Sequence, residues 1–158
     1  MRLIPHSSAR QTDIGLLVLR VIVGTIFVAH GGQKLFVFGL DGVAGGFAQM
    51  GVPMAGLIGP LVGFVEFFGG IALITGLLTR LAGVGLAVVM TGAMMLVHLP
   101  NGFFAPNGIE FTLALFGSAV ALVLTGAGRF SLDALVTSRN GVPAAAGTPE
   151  AVKVRRVA

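Results

Sequence analysis

The chain has 158 residues, 55% of them hydrophobic and 10% charged, a net charge of +4 and no cysteine, and its mean hydropathy is +0.97. That composition places a single domain in a lipid bilayer rather than in water. It excludes dithiol chemistry, thiolate metal sites and disulfides. Because the basic residues gather at the ends of apolar runs, it also argues against nucleic acid as a partner.

Taken in chain order, residues 1–13 read as a polar N-terminal leader. Four apolar runs follow, at approximately 14–36, 57–79, 81–99 and 109–127, each near the ~20 residues a helix needs to cross a membrane. The first reads as a retained helix and not a signal peptide, since Arg20 interrupts it, Asp13 precedes it and "FVAHG" is a poor cleavage site. Between the first two runs, "GLDGVAGGFAQMGVPMAG" is too short to span and predicts a brief interfacial helix. "LLTRLAG" marks a tight turn at Arg80, and "HLPNGFFAPNGIE", with two prolines and two Asn-Gly pairs, marks an irregular loop. Residues 137–158 read as a disordered basic tail attracted to anionic lipid. The expected fold is therefore an all-α membrane protein. Residues 14–136 form a four-transmembrane-helix bundle with a short interfacial helix in the first loop.

Four spans place both termini and the 2/3 turn on one side, with Arg2, Arg10, Arg80, Arg129, Arg139, Lys153, Arg155 and Arg156, and leave only Lys34 on the other. The excess of positive charge assigns the termini to the cytoplasm of a bacterial inner membrane.

An ionisable side chain in a bilayer faces protein or water, because lipid solvates it poorly. At about 100° per residue, Arg20, Gly24, Phe27, Gly31 and Lys34 share a stripe of the first helix, with His30 at its edge. Glu66 shares one with Gly59, Val62, Gly63, Gly70 and Leu73, His98 with Ala87, Thr91 and Met94, and Glu110 with Ala114, Gly117 and Ala121. Small residues at such spacings mark close helix contacts. The expectation is that His30, Lys34, Glu66, His98 and Glu110 converge in the outer half of the bundle. Arg20 lies deeper, reaching toward Glu66 or snorkelling to the inner surface.

A partly buried His/Lys/Glu group can hydrogen-bond a carbonyl oxygen and move a proton, which suits a quinone-like ligand in an apolar pocket. In that scheme Glu66 and His30 relay protons while Lys34 and Arg20 supply positive charge. Gly31, His98 and Glu110 line the ligand's place and its entrance. Two His and two Glu could also suggest a metal, but the Glu-x-x-His pairing of di-iron bundles is missing, so no metal is expected.

The stretches "LRVIVGTIFVAHGGQKLF", "GFVEFFGGIALITGLLTRLAG" and "NGIEFTLAL" resemble the DoxX family of small bacterial inner-membrane proteins over about residues 14–136. The markers are Arg20, the H-G-x-x-K element of His30, Gly31 and Lys34, Glu66, and the G-x-E-F element of Gly108, Glu110 and Phe111. The resemblance implies a membrane component of an oxidoreductase system. Some relatives are linked to quinone-coupled thiosulfate oxidation, others to oxidative-stress complexes with soluble partners. It transfers architecture more securely than chemistry. Two other readings stay open: a non-catalytic anchor that assembles soluble redox partners through the basic tail, and a small-molecule or proton-coupled transporter, although neither inverted repeats nor broken helices are evident. The oligomeric state, a homo-oligomer included, is also left open.

Overall fold

The computed structural model describes residues 8–139, so residues 1–7 of the expected leader and 140–158 of the expected tail lie outside the described residues. Helix α1, Ala9–Gly32, starts ahead of the apolar run because Ser8 caps it. The Ser8 hydroxyl accepts the Gln11 N–H at 3.2 Å and the Gln11 side chain accepts the Ser8 N–H at 2.7 Å, which satisfies two of the donors a helix start leaves free. The helix then loosens into a π-helical turn, Gln33–Phe38. Gly39, at φ 70°, breaks the run, and α2 follows over Gly39–Gln49.

Helix α3 covers Ala55–Thr75. Helix α4 covers Thr79–Ala93 and also ends in a π-helical turn, Met94–His98, with a 3₁₀ turn at Leu99–Asn101. Helix α5 covers Glu110–Thr125 and α6 covers Leu132–Arg139. Among the described residues there is no strand. Helices α1, α3, α4 and α5 alternate in direction, as an all-helical membrane bundle requires. Three helical stretches, Ala9–Gln49 (interrupted at Gly39), Ala55–Thr75 and Thr79–Asn101, are long and apolar enough to cross a membrane. Helix α5 has 16 residues, a rise of about 24 Å.

Helices α1 and α3 touch backbone to backbone. A methyl placed on Gly24 would sit 2.7 Å from the Gly70 carbonyl oxygen, one on Gly70 would sit 2.7 Å from the Val28 nitrogen, and one on Gly31 would strike the Phe67 backbone. The seam continues where Val43 of α2 rests against Gly59, which lays the expected interfacial helix across the start of α3. Beneath it, Val23, Phe27, Leu73, Leu86, Met90, Leu115, Ala119 and Leu122 form one buried apolar core.

The opposite end, here called the base, is closed by polar side chains on helix ends. Arg20 is fully buried. Its Nη1 donates to the carbonyls of Leu73 at 3.0 Å and Ile74 at 3.4 Å, and its Nη2 to that of Phe130 at 2.5 Å. A cation thus meets the negative end of α3. The carboxylate of Asp133 accepts the N–H groups of Leu78 at 2.7 Å and Thr79 at 3.0 Å, so an anion caps the start of α4. Asp13 accepts the Arg129 N–H at 3.0 Å and ties α1 to the same corner. Gly76, at φ 69°, leaves no room for a side chain between Arg20 and Ser131.

Arg20 therefore corrects one expectation: it neither reaches Glu66 nor snorkels. The exposed carbonyls of Leu73 and Ile74 are closer partners, since Glu66 lies seven residues, about 10 Å, farther along α3.

The seam makes a stability prediction. Gly31→Ala should destabilise the detergent-solubilised protein by about 1–3 kcal/mol through overpacking. Gly117→Ala, with open space around it, should be neutral or stabilise by about 0.5–1 kcal/mol through helix propensity. Thermal unfolding of the two variants beside the parent checks this; equal melting shifts would mean the α1–α3 contact is slack.

Candidate functional site

Above the apolar core, on the loop side, the buried side chains turn polar. Glu66, on the glycine face of α3, is 4% exposed. Lys34, the second residue of the π-helical turn after α1, reaches across the seam and donates from Nζ to Glu66 Oε2 at 2.5 Å. Gly63 permits this approach, as a methyl there would lie 3.3 Å from Lys34 Cβ and 3.1 Å from Leu35 Cδ2. An ion pair so placed is held by desolvation on both sides, and either member alone would be a buried unpaired charge.

The pair is not saturated. The Lys34 ammonium has three N–H donors and spends one on protein, its side chain being 19% exposed. Glu66 Oε1 accepts nothing among the described residues. His30, one turn before Lys34, is exposed, stands close enough to Glu66 for a Coulombic interaction, and makes no hydrogen bond among the described residues. Its ring instead rests against Phe111 of α5, centroids 6.2 Å apart and tilted by 47°. Leu35, next to Lys34, rests on Gly63, and the ring of Phe67, next to Glu66, lies by Gly32.

The other expected residues are placed differently. Gly31 belongs to the α1–α3 seam and faces α3. His98 Nδ1 lies 2.8 Å from the Asn107 carbonyl oxygen; a carbonyl only accepts, so this nitrogen donates a proton to it. Glu110 Oε1 accepts the Ala105 N–H at 2.8 Å. His98 and Glu110 therefore brace the loop above the site.

The stripes proposed through them are also corrected. Helix α4 buries Thr79, Gly83, Leu86 and Met90 instead of Ala87, Thr91 and Met94. Helix α5 buries Thr112, Leu115, Ala119 and Leu122, while Ala114 and Gly117 are exposed. The cause is geometric: a 100° step cannot be carried back from His98 through a π-helical turn, and Glu110, as the first residue of its helix, folds back onto the loop. Sequence reasoning missed Asp133 and Asp13, whose capping roles need the tertiary structure, and both π-helical turns, which leave no mark in apolar spacing. Among the described residues no group of three His, Asp or Glu could hold a metal.

The sequence pattern of the DoxX family matches residues 15–99, over half of the chain and inclusive of Arg20, His30, Lys34 and Glu66. The chain belongs to the DoxX family. This DoxX protein is 35% identical over 127 residues to the Bacillus subtilis protein named "Putative oxidoreductase CatD", a match covering 80% of this chain and 90% of the relative. It is 33% identical over 129 residues to the Escherichia coli "Inner membrane protein YqjF", covering 80% and 95%. An uncharacterized membrane protein of Mycobacterium tuberculosis is 33% identical over 135 residues, covering 78% and 82%. No solved structure matches this DoxX chain at a significant level.

The buried pair predicts a double-mutant cycle. Lys34→Met and Glu66→Met should each cost about 3–5 kcal/mol by orphaning the partner charge, whereas the double variant should return most of that loss. Thermal melts of the three variants in one detergent decide it; additive losses would show that the two charges are not coupled.

Proposed function

We propose that this DoxX protein is the quinone-binding membrane subunit of an oxidoreductase system. The observation that carries the reading is the Lys34–Glu66 pair, buried above the core with spare hydrogen-bonding capacity on both members and His30 beside it.

The donor set fits such a ligand. Lys34 has N–H groups free for a ring carbonyl, Glu66 Oε1 can accept a hydroxyl proton, and Leu35 and Phe67, next in sequence to the pair, offer apolar surface. When bound, a quinone supplies the two-electron, two-proton chemistry that this chain, without Cys, Trp or Tyr, does not supply itself. Electrons then come from a soluble redox partner. The chain's own residues would do the rest: Lys34 would hold and orient a ring carbonyl, Glu66 would hold a proton at Oε1, and His30 would exchange it with the outside. His98 and Glu110 hold the roof in place. Arg20 acts at a distance by fixing the base.

All four antiparallel helices cross the membrane in this proposal, α5 by local thinning of the bilayer around its shorter apolar length. Among the described residues Arg10, Arg20, Arg80 and Arg129 lie at or toward the base and Lys34 at the loop end, which supports a cytoplasmic base.

Organic extraction of protein purified from its native membrane, followed by mass identification, should recover a quinone. Glu66→Gln, which keeps the shape and removes the charge, should lower the recovered amount at least tenfold. A parent protein free of quinone, or a variant that retains as much, overturns the reading.

A further inference from the structure

From the packing around this site we infer that the ligand reaches it sideways out of the bilayer, between α1 and α5, and that Phe111 is the gate residue on that path. The inference rests on the quinone reading and adds the route.

The seams of the bundle differ in what closes them. Backbone contact at Gly24, Gly31 and Gly70 closes α1 against α3, so moving side chains aside would not open it. Leu86, fully buried, lies on Gly69 to close α3 against α4, and Val123 with the Ala119 carbonyl lies on Gly83 to close α4 against α5. At the loop end α4 and α5 are joined through the braced loop, by the bond from His98 to Asn107 and that from Ala105 to Glu110. Between α1 and α5 the core reaches up only to Phe27 and Leu115. One turn higher, the seam is spanned by the rings of His30 and Phe111.

That bridge is made to part. Neither ring contributes a hydrogen bond to it among the described residues, and Phe111 is 46% exposed. A rotation of the Phe111 ring breaks no polar contact and forfeits only about 0.5–1.5 kcal/mol of ring contact. Behind the rings, one turn farther along the same face of α1, lies Lys34 with its free donors, held on the loosened π-helical turn Gln33–Phe38. Such turns inside helices are frequent at functional sites.

The geometry fixes the class of ligand. The polar ring would pass His30 and meet Lys34 and Glu66, while a hydrocarbon tail would stay outside the bundle beside the exposed Phe111. A ligand coming from water would instead enter through the braced loop.

The natural absence of cysteine allows a direct test. Phe111→Cys and, as a control on the lipid face of α4, Val88→Cys are each purified in detergent, immobilised, and modified or not with a benzyl methanethiosulfonate. Association and dissociation of radiolabelled decylubiquinone are then followed. The benzyl adduct at position 111 should slow association at least tenfold, and the adduct at position 88 should leave it unchanged. Phe111→Ala should speed association and dissociation together, severalfold each, with Kd within about twofold of the parent, as expected of a gate and not of a binding contact.

Unmodified parent that binds no decylubiquinone sinks the quinone reading and this inference with it. Parent that binds, but with rates indifferent to the adduct at position 111, sinks the lateral route alone and points to the loop mouth. A raised Kd for Phe111→Ala without faster exchange makes Phe111 part of the binding surface and also overturns its role as a gate.

Discussion

The architecture hangs on the absence of side chains along one line. Helices α1 and α3 approach to backbone contact at Gly24, Gly31, Gly63 and Gly70, a distance at which dispersion and close carbonyl contacts replace the hydrophobic effect as the force between helices in lipid. Only at that separation does Lys34 reach Glu66 directly. Were the helices held apart by leucine-sized residues, the carboxylate would face lipid or need a proton, and no pair would form. The polar centre is thus a product of the glycine seam, and the seam tolerates it because each charge answers the other.

A division of labour along the bundle axis follows. The base is tied together by polar contacts: helix ends meet opposite charges, and the two terminal nitrogens of Arg20 bond three backbone carbonyls while its Nε has no partner among the described residues. The middle is dry and apolar. The loop end combines a coupled charge pair with open hydrogen-bonding positions and two helices relaxed into π-helical turns. Stability concentrated at one end leaves the other free to change shape around a ligand, which is where a membrane protein of this size can place adaptable chemistry.

Much of this was legible in the residues. The apolar runs fixed the helices to within a few positions, and the face of α3 carrying Gly59, Gly63, Glu66, Gly70 and Leu73 is the face that is buried, because a regular α-helix preserves the 100° step over its whole length. The stripe of α1 from Arg20 through Gly31 holds for the same reason. Reasoning failed where regularity does. The π-helical turn before His98 rotates everything beyond it, and Glu110 and His98 sit where local loop geometry, not helical phase, aims a side chain. Arg20 was recognised as exceptional, yet its partners are main-chain atoms of residues about 50 and 110 positions away in sequence, and a carbonyl carries no signature in a sequence.

The corner around Arg20 bears on how the protein is made. Its guanidinium lies on α1, yet Phe130, Asp133 and Arg129, which complete that corner with Asp13, come after α5. During synthesis Arg20 can meet the Leu73 and Ile74 carbonyls once α3 has formed, whereas the Phe130 carbonyl and the Asp133 carboxylate at the start of α4 arrive only after α5 has been made. A chain truncated before residue 130 would leave Arg20 with two of its three carbonyl partners and the start of α4 without its carboxylate cap.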